Sequence, residues 1–217
     1  MKIRLPIAIF ALLVLGIPLF AQQTAVIQEL TGRVQLKEAN GEWADAAPGI
    51  TVSQGTLIST GFNSTAVLDL GTSKIQVRPL TRMRLAELLR KGDTVTTSVF
   101  VTVGKVRADV QRIPSLTQAF KLQSPVSTAA VRGTQFTFAV TWVTTNEGVV
   151  EFQNAEGLGR DVGPGEGSEL SGLQLPVSPS DYRAQQENVD PNTGPGEILP
   201  ANGTLLPGTG SIVVTIQ

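Results

Sequence analysis

The chain reads as all-β, with many short strands in an antiparallel or solenoid-like β roll. From Thr24 onward apolar residues recur with a period of two, the pattern of strands with one buried and one solvated face. Gly, Asn-Gly and Asn-Glu-Gly interrupt that alternation, leaving strands of roughly five to eight residues. The chain also holds 22 Gly and 13 Pro with many Thr and Val, a composition that suits strands joined by tight turns.

In chain order, Val34 and Leu36 alternate with polar neighbours in GRVQLKE, and Ala66, Leu68 and Leu70 do so in TAVLDLG. Ile75, Val77, Met83 and Leu85 keep one parity through KIQVRPLTRMRLAEL, with Pro79 marking a bend or an edge. Met83–Lys91 is rich in helix formers but lies between two alternating runs, so a continued strand is preferred. Val99, Val101 and Val103 follow, then Phe136, Phe138, Val140 and Trp142, a parity that places Trp142 in the core. Each strand buries a few such side chains at roughly 1.5–3 kcal/mol apiece. Pro179–Val189 is polar and, with Ser180 as N-cap, is expected to form one or two exposed helical turns.

Four segments emerge. Residues 1–21 open on Met1-Lys2-Ile3-Arg4, continue in an apolar run to Phe20 and end at Ala21, which reads as a cleaved signal peptide. Pro6, Gly16 and Pro18 break that run, so no membrane span is expected after cleavage. Residues 22–174 hold the all-β domain. Residues 175–210, punctuated by six prolines from Pro176 to Pro207, form a linker or an extended segment. Residues 211–217 (SIVVTIQ) form a C-terminal strand, expected to cover a sheet edge of its own domain rather than of a partner. Export places the chain in the periplasm or outside the cell.

Composition narrows the chemistry. The chain has no His and no Cys, which removes the usual general base, the thiol nucleophile, thiolate metal sites and disulfides. A net charge of −1 offers no basic surplus for phosphates, so nucleic acid is not an expected partner. No cofactor, metal or catalytic residue is expected, and the chain is read as a non-enzyme.

The segment Phe120–Phe138, FKLQSPVSTAAVRGTQFTF, is the most informative. Pro125 and Gly133 punctuate it, and between them a loop of small residues holds one cation, Arg132. It resembles the signature of the FecR domain. The likeness extends in order over residues 25–171: Gly32-Arg33-Val34 with Trp43, the block Gly49–Gly61, Ser64–Gly71, Glu147-Gly148-Val149, and the glycine-rich Gly163–Gly167. Two departures stand out. Gly55-Thr56 replaces the family's Gly-Asp, and Leu70-Gly71-Thr72-Ser73 its Asp-Gly-Ser, each removing a turn carboxylate. Sensor members carry a cytoplasmic tail that engages a sigma factor, whereas four residues precede the apolar run here, so an anti-sigma role is not expected.

The candidate site residues are Arg132, Gly133 and Thr134. Arg132 suits carboxylate or phosphate recognition, or its five donors tie down turn carbonyls; the structural role is preferred. Trp43 and Trp142 are candidate sugar platforms, with the core preferred for Trp142. Glu147, Glu151 and Asp161 invite a glycosidase-like carboxylate pair, but solvated strand faces explain them. The resemblance implies an exported interaction module of the bacterial envelope, in signal sensing or envelope assembly, contacting an envelope protein. The alternative is a structural or cell-wall glycan-binding envelope protein without a signalling role.

Overall fold

The structure, a computed structural model, describes residues 24–187. The signal segment, the strand at 211–217 and most of the Pro/Gly-rich segment lie outside the described residues. In chain order the strands are β1 (Ala25–Thr31), β2 (Val34–Lys37), β3 (Ala44–Asp45), β4 (Thr51–Val52), β5 (Leu57–Thr60) and β6 (Thr65–Asp69). Then come β7 (Ser73–Val77), β8 (Arg82–Lys91), β9 (Thr94–Val103), β10 (Lys105–Val110), β11 (Thr117–Gln123) and β12 (Ser127–Val131). The last are β13 (Gln135–Ala139), β14 (Trp142–Glu147), β15 (Val150–Asn154), β16 (Gly159–Val162) and β17 (Gly167–Glu169), followed by the helix α1 (Pro179–Glu187).

These strands form two open sheets. The first runs β4-β1-β6-β7-β10-β13-β14-β17 and the second β3-β2-β5-β8-β9-β11-β12-β15-β16. Past the first strand of each, sheet order follows chain order, because the chain advances by placing a strand or hairpin in one sheet and the next in the other. That progression is the solenoid-like character expected from the sequence. Pairing is antiparallel except between β9 and β11, which run parallel because β10 crosses to the first sheet between them.

The alternation in the sequence becomes the core. β10 and β11 each bury every second residue, and Ile75, Val77, Met83 and Leu85 are all fully buried although the chain changes sheets between Val77 and Met83. The bend at Pro79 is that crossing. It needs Leu80 at φ 56, a backbone state costly for a side chain. Thr60 holds the strained turn, its Oγ1 donating to Arg78 O at 2.6 Å and accepting from Thr81 N at 3.0 Å. Phe120 of the second sheet meets Phe136 of the first edge-to-face, with ring centroids 6.4 Å apart.

Met83–Lys91 is indeed strand, as part of β8. Four expectations are corrected. Trp142 faces outward, because a two-residue turn pairs Phe138 with Val143 and so moves the buried parity from even residues on β13 to odd on β14. Val103, at the end of β9, is exposed. The helix is capped by Ser178, not Ser180: Ser178 Oγ accepts from Asp181 N at 3.2 Å, with Pro179 at the first helical position. The turn after β6 keeps a carboxylate, since Asp69 Oδ1 accepts from Gly71 N at 2.8 Å.

Candidate functional site

The signature segment is not a loop of small residues. Its residues Ser127–Val131 form β12, an interior strand of the second sheet between β11 and β15. Small side chains suit this place: Ala129 is fully buried, and Ala130 leaves the outer face low. The turn before β12 is fixed by two hydroxyls. Ser124 Oγ accepts from Ser127 N at 2.9 Å and from Val126 N at 3.2 Å, and both Ser124 and Ser127 reach the Val140 carbonyl at 2.8 Å.

The turn after β12 is fixed without Arg132. Val110 N donates to Thr134 O at 3.0 Å, and the Thr134 hydroxyl donates to Val149 O at 3.2 Å. Gly133 sits at φ 70, and a Cβ there would lie 2.6 Å from Arg112 Cβ and 3.2 Å from its Cα. Only glycine lets the two backbones approach so closely. Gly148 packs the same way, a Cβ on it falling 2.7 Å from Thr134 Oγ1 and 2.8 Å from Gly133 O. Arg132 itself is exposed and makes no hydrogen bond or ion pair among the described residues. The carbonyl-tying role expected for it is therefore not what the structure displays.

Gly133 brings Arg112, on the crossing between β10 and β11, beside Arg132. The two arginines line one groove of about 590 Å³ on the outer side of the second sheet. Gln118 lines it too, only 8% exposed, and its Nε2 has no hydrogen-bond partner. The groove continues over a cross-strand row, Lys121–Ala130–Glu151–Asp161, in which Glu151 and Asp161 stand directly opposite each other. Like charges so placed repel, a cost accepted only on a solvated face. Glu151 accepts from Gln153 Nε2 at 2.6 Å, and among the described residues no cation forms an ion pair with either carboxylate. Of the three carboxylates singled out in sequence, Glu147 lies on β14 in the first sheet, away from this pair.

A second hollow lies on the first sheet, between its outer face and α1. Trp142, Tyr182, Arg78, Lys105 and Arg107 line it. Tyr182 lies flat against the backbone at Gly167, where any Cβ would overlap its ring. Its phenol is pushed above the ordinary value of 10.0, first by burial and then by the Glu169 carboxylate. Trp43 is 38% exposed, with the Arg82 guanidinium 5.6 Å above its ring.

The sequence reading found Arg132, Gly133 and Thr134 and missed Arg112 and Gln118. Neither belongs to a motif; Arg112 reaches the groove through the crossing from β10 to β11, and Gln118 from the start of β11. No family model and no curated protein matches the chain. Among solved structures it is similar to two crystal structures of a "putative anti-sigma factor" from Parabacteroides distasonis ATCC 8503. Each has a TM-score of 0.45 at 16% identity over 61% of this chain. The chain spans 65% and 64% of the length of those two chains, less than two thirds.

Proposed function

We propose that the protein is a non-enzymatic binding module of the bacterial envelope, of FecR type, exported and serving signal sensing or assembly through contact with another envelope component. Arg132 carries the reading. A motif cation that holds no carbonyl, on a turn already fixed by the bonds of Thr134 to Val110 and Val149, is left available to a partner. Its neighbour Arg112 doubles the positive charge at that spot, the one on the crossing after β10 and the other on the turn after β12. The ordered resemblance of residues 25–171 to the FecR domain supports the envelope setting.

The test is in-cell photo-cross-linking from position 132, with a second probe at Gly92 on the tight β8–β9 turn as control. A discrete adduct from 132 that is absent from 92 supports the reading. Equal, diffuse labelling from both positions overturns it. Arg132→Ala, with unchanged melting and loss of the adduct formed from a probe at the neighbouring Lys121, separates partner contact from a structural role.

The outward placement of Trp142 favours a second reading, a glycan-binding envelope protein. A half-exposed indole beside Tyr182 and three cations suits stacking on sugar rings. Retention on purified sacculi, lost in Trp142→Ala but kept in Arg132→Ala, would select it over the first.

A further inference from the structure

The groove on the second sheet has two poles of opposite charge that do not neutralise each other. At one end Arg112, Arg132 and Gln118 line it. Among the described residues the two guanidiniums have no carboxylate partner, and Gln118, more than nine-tenths buried, has an Nε2 without a partner. At the other end Glu151 and Asp161 face each other across β15 and β16.

Ala130 keeps the poles apart. It pairs directly with Glu151, and Arg132 lies two positions further along the same chain. Successive outward positions on a strand are about 6.6 Å apart, and Arg132 stands one residue past the end of β12, off the row that holds Glu151. Among the described residues no ion pair joins the two. Lys121 lies on the far side of Ala130, two strand spacings or about 10 Å from Glu151, and makes no ion pair either. Small side chains floor the space between, leaving the groove open.

From this we infer that the groove binds a short zwitterionic chain, an amino acid or small peptide with free termini. Its carboxylate lies between Arg112 and Arg132 and its ammonium beside Glu151 and Asp161. The planar forks of two arginines match a carboxylate, and a dense dianion such as phosphate is disfavoured by the acidic pair in the same groove. The inference rests on the reading of Arg132 as a contact residue and gives that contact its chemistry.

Titration calorimetry on the mature chain tests it, with tri-alanine, N-acetyl-tri-alanine, tri-alanine amide and inorganic phosphate as probes. Tri-alanine should bind saturably, and blocking either terminus should weaken it at least about tenfold. Arg132→Gln should weaken tri-alanine and the acetylated peptide but not the amide. Glu151→Gln should weaken tri-alanine and the amide but not the acetylated peptide. Both residues are exposed, so melting of each variant should match the parent chain. Absence of saturable tri-alanine binding, equal affinity for the blocked peptides, or Arg132-dependent binding of phosphate alone would each overturn the inference. Loss of peptide binding with the position-132 adduct retained in cells sinks this inference and leaves the binding-module reading standing. Peptide binding without that adduct does the reverse.

Discussion

Ser124 and Ser127 converge on one carbonyl: both hydroxyl oxygens lie 2.8 Å from Val140 O, and 2.9 Å from each other. The serines flank the β11–β12 turn of the second sheet, while Val140 is in the β13–β14 turn of the first. The contact therefore pins the ends of the two sheets together where the signature segment begins. Ser127 is 2% exposed, so little water can replace a lost hydroxyl there. Ser127→Ala should cost about 1–2 kcal/mol, and Ser124→Ala somewhat more because it also frees the Val126 and Ser127 amides. Urea unfolding checks this, and the double variant should cost less than the two single losses combined, since they share one acceptor.

Gly133 and Gly157 separate two reasons for glycine. Both have positive φ, 70° and 79°, but a Cβ at Gly133 meets Arg112 at 2.6 Å while one at Gly157 meets nothing within 4 Å. Gly157→Ala should cost only the backbone penalty, about 1–2 kcal/mol. Gly133→Ala should cost about 1–3 kcal/mol beyond that, because Arg112 and its crossing must move. Denaturation midpoints of the two variants give the comparison directly. Equal losses would mean that the Arg112–Gly133 approach is not tight in solution.

Alternation made the strands legible in the sequence, since a buried face leaves a period of two whatever sheet a strand joins. It also gave the buried sets at Ile75, Val77, Met83 and Leu85, because the crossing at Pro79 preserves parity. The same rule failed at Trp142, where a two-residue turn reverses parity and nothing in the run of apolar residues marks the reversal. Gly133 and Thr134 were legible as turn residues. Arg132 was legible as an isolated cation, but not as an unpartnered one, because its freedom depends on Thr134 holding the turn through bonds to Val110 and Val149, two distant segments. Arg112 and Gln118 carry no local pattern; their role comes from pairing between distant segments.

The outward indole gives a spectroscopic prediction. The chain has two tryptophans, and neither is in the core: Trp43 is 38% exposed and Trp142 half-buried. Native emission should be red-shifted and quenched by iodide, unlike that of a buried indole. Trp142→Phe should change stability by no more than about 1 kcal/mol, whereas Phe138→Ala, on the facing strand of the same hairpin and fully buried, should cost about 3–5 kcal/mol. A blue-shifted, unquenched Trp142 signal in a Trp43→Phe background would contradict the outward placement.

Tyr182 ties α1 to the first sheet and should report on pH. It is the single tyrosine of the chain, so its titration is read at one wavelength without interference. Burial against Gly167, and next the Glu169 carboxylate, favour the neutral phenol and raise its pKa above 10.0 in the folded state. The unfolded chain gives up this proton first as pH rises. The stabilisation is thus fully present below the unfolded value and is lost as pH climbs through the folded one. Phenolate absorbance of the native chain should rise at higher pH than in urea. Thermal stability should fall above about pH 10 more steeply in the parent than in Tyr182→Phe, which cannot ionise and loses only the contact from Gln186 Nε2 at 3.1 Å. Superimposable titrations in the native and unfolded chain would show that α1 does not hold the phenol against the sheet.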